Sequence, residues 1–259
     1  MFSLAASASP VAASVTIGQL AAPPSGSCIE GYDWVQRTIT SGNTYVVPAA
    51  GTVTSWSTNA NADPGQMLTM KVYRQVTGLT YLVVGHDGPR TLTGGLNTFP
   101  ASVTVKRGDL LGLHVDAGLP SCIIGEGGEP LFRSGDLADG QSGTFAPEFG
   151  RLNLTAVVNP SNSFTLGDVD RNKKKGTATL TVAAIPNPGE LALFGKGLKR
   201  REVSVGAPGD LELRIKTKGK KKENLNEEGK VKATPKVTFT PTGGDPNTQS
   251  RKLKLKKRL

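Results

Sequence analysis

Met67-Leu68-Thr69-Met70-Lys71-Val72-Tyr73 places Leu68, Met70 and Val72 on one side of an extended chain, with Thr69 and Lys71 on the other. Side chains of a strand point alternately to opposite faces, so this period-two pattern predicts a β-strand with one face buried. Similar runs lie on both sides of it: Trp34–Thr40, Gly51–Ser57, Tyr81–Val84, Ser102–Val105, Leu110–Val115 and Arg151–Val158. Each has strand length and is bounded by Gly, Pro, Asn or Asp. At least seven short strands with no amphipathic helical stretch predict an antiparallel sandwich of jelly-roll type. Two long loops are expected, at 86–98 and 116–148, where Gly and Pro concentrate.

Asn159-Pro160-Ser161-Asn162-Ser163 interrupts the pattern, and composition changes there: all four Tyr and both Trp precede it. Beyond it, Gly176–Val182, Glu202–Val205, Lys230–Lys232, Lys236–Thr240 and Lys252–Lys256 alternate again. Pro188-Gly189-Glu190-Leu191-Ala192-Leu193 returns as Pro208-Gly209-Asp210-Leu211-Glu212-Leu213. Pro-Gly suits the centre of a type II turn, so the repeat predicts two hairpins built alike. The fold class is therefore all-β, two antiparallel β-sandwich domains in tandem: jelly-roll-like over 27–158 and immunoglobulin-like over 164–259. Residues 159–163 are the linker, and 1–26 form a signal-peptide remnant or a disordered tail.

Charge follows the same boundary. Residues 1–160 carry 8 Lys/Arg against 11 Asp/Glu, whereas residues 161–259 carry 23 against 10. A domain so basic attracts polyanions, unless the charge serves only solubility. The basic clusters are Lys173, Lys174 and Lys175; Lys199, Arg200 and Arg201; and Lys220, Lys221 and Lys222, with Lys216, Lys218 and the C-terminal run beside them. Lysine dominates, which gives diffuse point charges in place of bidentate forks. Only Phe164, Phe194 and Phe239 are aromatic in this half, and their strand contexts assign them to the core. Stacking platforms for single-stranded nucleic acid are not expected, nor is specific nucleic-acid recognition.

The N-terminus, Met1 to Ser14, is rich in Ala and Ser, and Ala6-Ser7-Ala8 and Val11-Ala12-Ala13 offer the small residues of a signal-peptidase site. A basic n-region is missing, so the reading is the end of a secretory signal, with a disordered tail as its rival. No apolar run reaches membrane-spanning length. Ser25 stands where a lipoprotein signal would carry an aliphatic residue ahead of Cys28. Cys28 and Cys122 are the only cysteines, and one pair in an exported chain predicts a disulfide, against two separate buried thiols.

Catalytic patterns are sparse. His86-Asp87-Gly88 reads first as a turn, and second as a base oriented by a carboxylate. His114, inside a strand pattern, is structural. Gly140-Gln141-Ser142-Gly143 has the wrong spacing for a nucleophile elbow. Gly195-Lys196-Gly197 lacks the Ser/Thr of a phosphate loop, and Gly125–Gly128 is no dinucleotide fingerprint, so no cofactor is expected. Glu126, Glu129, Asp136, Asp139 and Glu148 gather in one predicted loop, as a hydrated surface does or as paired carboxylates for glycoside cleavage would. Asp136 and Asp139 are weak calcium candidates that depart from the EF-hand pattern. Tyr32, Trp34, Tyr45, Trp56, Tyr73 and Tyr81 are core residues or, in part, a sugar-stacking platform.

Arg171-Asn172-Lys173-Lys174-Lys175-Gly176-Thr177-Ala178-Thr179-Leu180, Pro186-Asn187-Pro188-Gly189, Thr240–Pro246 and the alternating Lys/Leu ending resemble a C-terminal module of two-domain β-sandwich proteins exported by actinobacteria. Tyr32–Arg37 and Gly108–Leu113 resemble the domain that precedes it. The resemblance spans most of the chain. It implies export and two sandwiches, and it brings no catalytic residues to transfer. The expectation is a non-catalytic, secreted or cell-envelope binding protein whose partner is an anionic cell-wall polymer or glycan. The alternatives are a carbohydrate-active enzyme using carboxylates of 116–148, and a purely structural surface protein.

Overall fold

The computed structural model describes residues 14–21 and 26–259. Of the expected signal remnant or tail at 1–26, residues 1–13 and 22–25 lie outside the described residues. Among the described residues the fold is all-β with one short helix, and the chain divides between Ser161 and Asn162 into two compact units.

The front unit contains β1 (Val15–Gln19), β2 (Gly26–Ser27), β3 (Tyr32–Ile39), β4 (Gly51–Ala60), β5 (Met67–Thr77), β6 (Thr80–Thr91) and β7 (Gly95–Val105). It continues with β8 (Leu110–Ala117), β9 (Ser121–Ile124), β10 (Gly128–Ser134), β11 (Ser142–Thr144), β12 (Ala146–Pro147), β13 (Arg151–Leu152) and β14 (Leu154–Pro160). Two main sheets form, in the orders β1-β14-β4-β7 and β11-β6-β5-β8-β3-β10-β12, beside a small β13-β9-β2 sheet. The even-numbered set read from the sequence, Leu68, Met70 and Val72, joins Trp34, Leu111, Leu113 and Val115 against Val53, Trp56, Val103 and Val158 of the four-stranded sheet. Cys28 and Cys122 are fully buried in this core as a disulfide.

The seven-stranded sheet is covered on its other face too. Val35, Tyr73, Tyr81, Val83, Leu110 and Leu131 pack beneath Leu137 and Phe145. Phe145 meets the rings of Tyr73 and Tyr81 edge-on at 5.6 and 5.7 Å. The segment leading to β11 and β12 thus roofs the central strands, which is why β8 is buried along Leu110–Val115 in place of alternating.

Several expectations change here. The loop at 86–98 is mostly strand, since β6 runs to Thr91 and β7 starts at Gly95. Gly88 and Pro89 fall where the β5–β6 register shifts between Leu68 and Met70, so the missing proline N–H interrupts no ladder bond. The stretch 116–148 holds β9 to β12. The tail expected over 1–26 contains β1, whose Ile17 is 1% exposed and which pairs with β14 through five residues. Asn159 and Pro160, placed in the linker, close β14 by pairing with Thr52 and Gly51.

The back unit contains β15 (Thr165–Asn172), β16 (Thr177–Ile185), β17 (Gly189–Phe194), β18 (Arg201–Val205), β19 (Gly209–Ile215), α1 (Lys220–Glu228), β20 (Lys230–Ala233), β21 (Lys236–Pro241), β22 (Asn247–Ser250) and β23 (Leu253–Lys256). The sheets are β15-β16-β19, β18-β17-β21-β22 and β20-β23. One core joins them through Leu180, Leu193, Leu213, Val237, Phe239 and Leu255. Phe164 and Phe239 are buried there, whereas Phe194 is half-buried.

Only the first Pro-Gly copy starts a hairpin: β17, begun at Gly189, pairs antiparallel with β18, whereas β19, begun at Gly209, pairs with β16. After Pro188 the chain leaves the β16 sheet for the β17 sheet, and after Pro208 it returns from β18 to β19. Two like bends therefore carry the chain between sheets. At the first, a Cβ on Gly189 would stand 2.2 Å from the Thr240 carbonyl oxygen, so close backbone approach requires the glycine. α1 was not expected, because only Leu225 of its nine residues is buried and no apolar stripe marks it. Its ends are marked instead by Gly219 and by Gly229 in the left-handed conformation at φ 67°.

Candidate functional sites

Strand alternation positions the cations of the back unit. Along β19, Leu213 and Ile215 face the core, so Arg214 and Lys216 face outward. Beside them a cleft of about 290 Å³ is lined by Lys175, Lys199, Arg214, Lys216 and Lys222, with Thr177, Thr217 and Asn226 as neutral polar groups. Among the described residues, no carboxylate lines it. Backbone bonds fix its walls: Lys199 N donates to Lys216 O, and Lys218 N donates to Gly197 O. On the other side of α1, Lys196, Lys218, Lys220 and Lys221 line a second depression.

Of the nine predicted polyanion contacts, the first cleft gathers Lys175, Lys199 and Lys222, and the second depression takes Lys220 and Lys221. Lys173 and Lys174 are exposed on the preceding turn, and Arg201 is exposed on β18. Arg200 is engaged by Glu202 at 2.6 Å. Arg214 escaped the sequence reading because it stands alone between apolar neighbours, outside any basic run. Its outward phase on β19 was the available signal.

In the front unit, charged side chains meet on the roofed face of the seven-stranded sheet. Asp33, His114 and Thr69 form one register row across β3, β8 and β5, and Val35, Gly112 and Lys71 form the row two residues away. Lys71 Nζ donates to Asp33 Oδ1 at 2.7 Å, to Asp136 Oδ1 at 2.5 Å and to the Leu137 carbonyl at 2.8 Å. Asp33 Oδ1 also faces His114 Nδ1 at 3.0 Å, while its Oδ2 accepts the Leu137 N–H at 2.9 Å. Burial drives the Asp33 pKa up. The bonds from His114, Lys71 and Leu137 outweigh that penalty and hold it below the usual carboxylate value. Tyr73 goes the other way: burial and the neighbouring Asp33 charge push its phenol well up. Tyr73 Oη lies close enough to Asp33 to feel its charge but makes no hydrogen bond of ordinary geometry.

Above this network lies a cleft of about 180 Å³ lined by Thr69, Lys71, His86, Asp116, Asp136 and Leu137 among others. Burial raises the Asp116 pKa, although Thr69 Oγ1 donates to its Oδ2 at 2.8 Å. His86 is in β6 and bonds Asp139 at 2.8 Å, not the adjacent Asp87, which accepts from Trp56 Nε1 at 2.7 Å and from Arg90. The calcium candidates are thereby placed apart in function: Asp136 holds Lys71 and Asp139 holds His86. Asp33, His114 and Asp136 offer ligand atoms within 4.8 Å of one another. The Lys71 ammonium already takes two of these carboxylates, so the residues present do not fit a metal ion.

Of the other acidic residues of 116–148, Glu129 pairs with Arg37 at 3.5 Å, Asp139 bonds His86, and the Glu148 N–H bonds the Pro130 carbonyl. Only Asp136 of the named five lines the cleft, where Asp116 joins it. The sugar-stacking alternative loses its aromatics: Trp34, Tyr45, Trp56, Tyr73 and Tyr81 are all buried. Tyr32 is half-buried against Phe132. Among the described residues, no helix is long and apolar enough to cross a membrane.

No protein-family model matches the chain, and no curated protein matches it. The functional reading therefore rests on the two sites themselves.

Proposed function

We propose that this chain is an exported, envelope-associated binding protein whose back unit attaches to anionic polymer through the lysine-rich cleft beside α1. The observation that carries the reading is five cations around one cleft with no carboxylate in its lining. Like charges held together without counter-charges raise the local anion concentration and favour a multiply charged partner over a single ion. Lysine ammonium groups on flexible stems suit a polymer of repeating negative charge that is held without being read. Export is supported by the disulfide, which persists in oxidising compartments, and by the resemblance to exported actinobacterial proteins.

The test uses the full chain on immobilised poly(glycerol phosphate), with neutral dextran as control. Retention on the phosphate polymer alone, weakening as salt rises, is the expected result, because screening shortens the reach of these charges. A variant with Lys199, Arg214, Lys216 and Lys222 changed to Gln elutes at markedly lower salt. Retention indifferent to salt, or undiminished in that variant, overturns the reading.

A further inference from the structure

We propose that Lys71 and Asp33 become joined by an internal isopeptide bond, an amide between Lys71 Nζ and Asp33 Cγ that ties β5 to β3 across β8. This is a modification site of the front unit and is independent of the polymer-binding reading.

The reacting groups are already in contact and dry. Lys71 Nζ lies 2.7 Å from Asp33 Oδ1, and the two side chains are 3% and 0% exposed. Groups held at this separation in a fixed frame react as if at very high concentration, since the entropy of bringing them together is spent in folding. The surrounding donors sort by oxygen. Asp33 Oδ2 faces the Leu137 N–H at 2.9 Å and the Arg133 guanidinium at 3.7 Å, where negative charge develops when nitrogen adds to Cγ. Asp33 Oδ1 faces His114 Nδ1 at 3.0 Å and is the oxygen placed to leave. Asp136 Oδ1, 2.5 Å from Nζ, is placed to take a proton from the ammonium, and its side chain reaches solvent with 62% exposure.

The balance is simple. The Lys71 ammonium and the Asp33 carboxylate condense to one amide and one water. The N–Cγ bond forms and the Cγ–Oδ1 bond breaks. Two of the three ammonium protons depart with Oδ1, relayed by Asp136 and His114, which both end as they began. No oxidant or co-reactant enters. Condensation also removes two buried charges whose desolvation opposes folding. It leaves an amide carbonyl beside the buried Tyr73 hydroxyl in place of a charged carboxylate.

Mass spectrometry of the full chain after disulfide reduction tests this. The expected intact mass is lower than that of the same chain uncondensed by one water molecule. Tryptic digestion then fails after Lys71 and gives a branched peptide joining the segment that ends at Arg37 to residues 38–74. Lys71→Arg keeps the positive charge but removes the primary amine, and it restores the full mass. Wild-type protein of full mass that is cut freely after Lys71 overturns the proposal. A missing water that persists in Lys71→Arg overturns it as well.

Discussion

Lys71 stands directly across from Gly112 in the β5–β8 ladder, yet its ammonium ends on Asp33, one strand further on. The side chain crosses β8 on the face where Gly112 carries no side chain. A Cβ built on Gly112 would lie 2.1 Å from the Trp34 carbonyl oxygen and 2.7 Å from the Tyr73 ring. Backbone cannot yield cheaply at such distances. Gly112→Ala is expected to cost about 3 kcal/mol, at the upper end of ordinary overpacking. Urea unfolding measures it, and a loss below about 1 kcal/mol would mean that β3 and β8 spread apart freely.

Asp87 ties Trp56 of one sheet to Arg90, and burial raises its pKa less than the bonds from Arg90 and Trp56 lower it. The folded value therefore lies below the ordinary 3.8. Stability from this lowered group is complete above the ordinary value and is lost as pH falls through the folded one. Asp87→Asn should cost about 1.5–3 kcal/mol at pH 7, the range for hydrogen bonds to a charged group. That difference from wild type should shrink below the ordinary carboxylate value. A difference that stays constant down to strong acid would assign the role to shape instead of charge.

The Cys28–Cys122 disulfide spans 94 residues of chain. Closing a loop of that length removes unfolded-state entropy worth about 4–5 kcal/mol on the chain-entropy account. Replacing both cysteines by Ala should lower the denaturation midpoint accordingly while leaving the far-ultraviolet spectrum of the sheets in place. A loss under about 1 kcal/mol would show that the unfolded chain is already compact without the bond.

Leu68, Met70 and Val72 declared their strand and its buried face in sequence, because hydrophobic alternation is a local property. Thr69 and Lys71 lie on the opposite side of the same strand, and the alternation does not say that this side is buried as well. Their burial depends on Leu137 and Phe145, some seventy residues away, folding over the sheet. No period within β5 records such a roof. Asp33 was invisible for the same reason: its neighbours Lys71, His114 and Leu137 come from three separate segments. The basic cleft was more legible, since Lys199 and Lys222 lie in runs. Arg214 needed the phase of β19 to be known first.

Asp109 gives a prediction that joins a readable motif to an unreadable contact. It belongs to the Gly108–Leu113 segment and is 1% exposed. Its carboxylate takes Arg74 in two parallel bonds, Nε to Oδ1 at 2.7 Å and a terminal nitrogen to Oδ2 at 2.8 Å. Oδ2 also accepts the Lys106 N–H at 2.7 Å, closing the turn into β8. The Arg74 guanidinium pKa is raised by this hydrogen-bonded partner. Arg74 keeps 36% of its side chain exposed, so removing Asp109 leaves it a hydrated escape. The orphaned Lys106 N–H has no such exit through Asp109. Asp109→Ala is therefore expected to cost about 1–3 kcal/mol, the range for leaving a polar group such as the Lys106 N–H unpaired. Arg74→Ala should cost more, because it strands a buried carboxylate with only the turn N–H for company. Thermal unfolding of both variants checks the order, and equal losses would mean that the turn, not the ion pair, carries the energy.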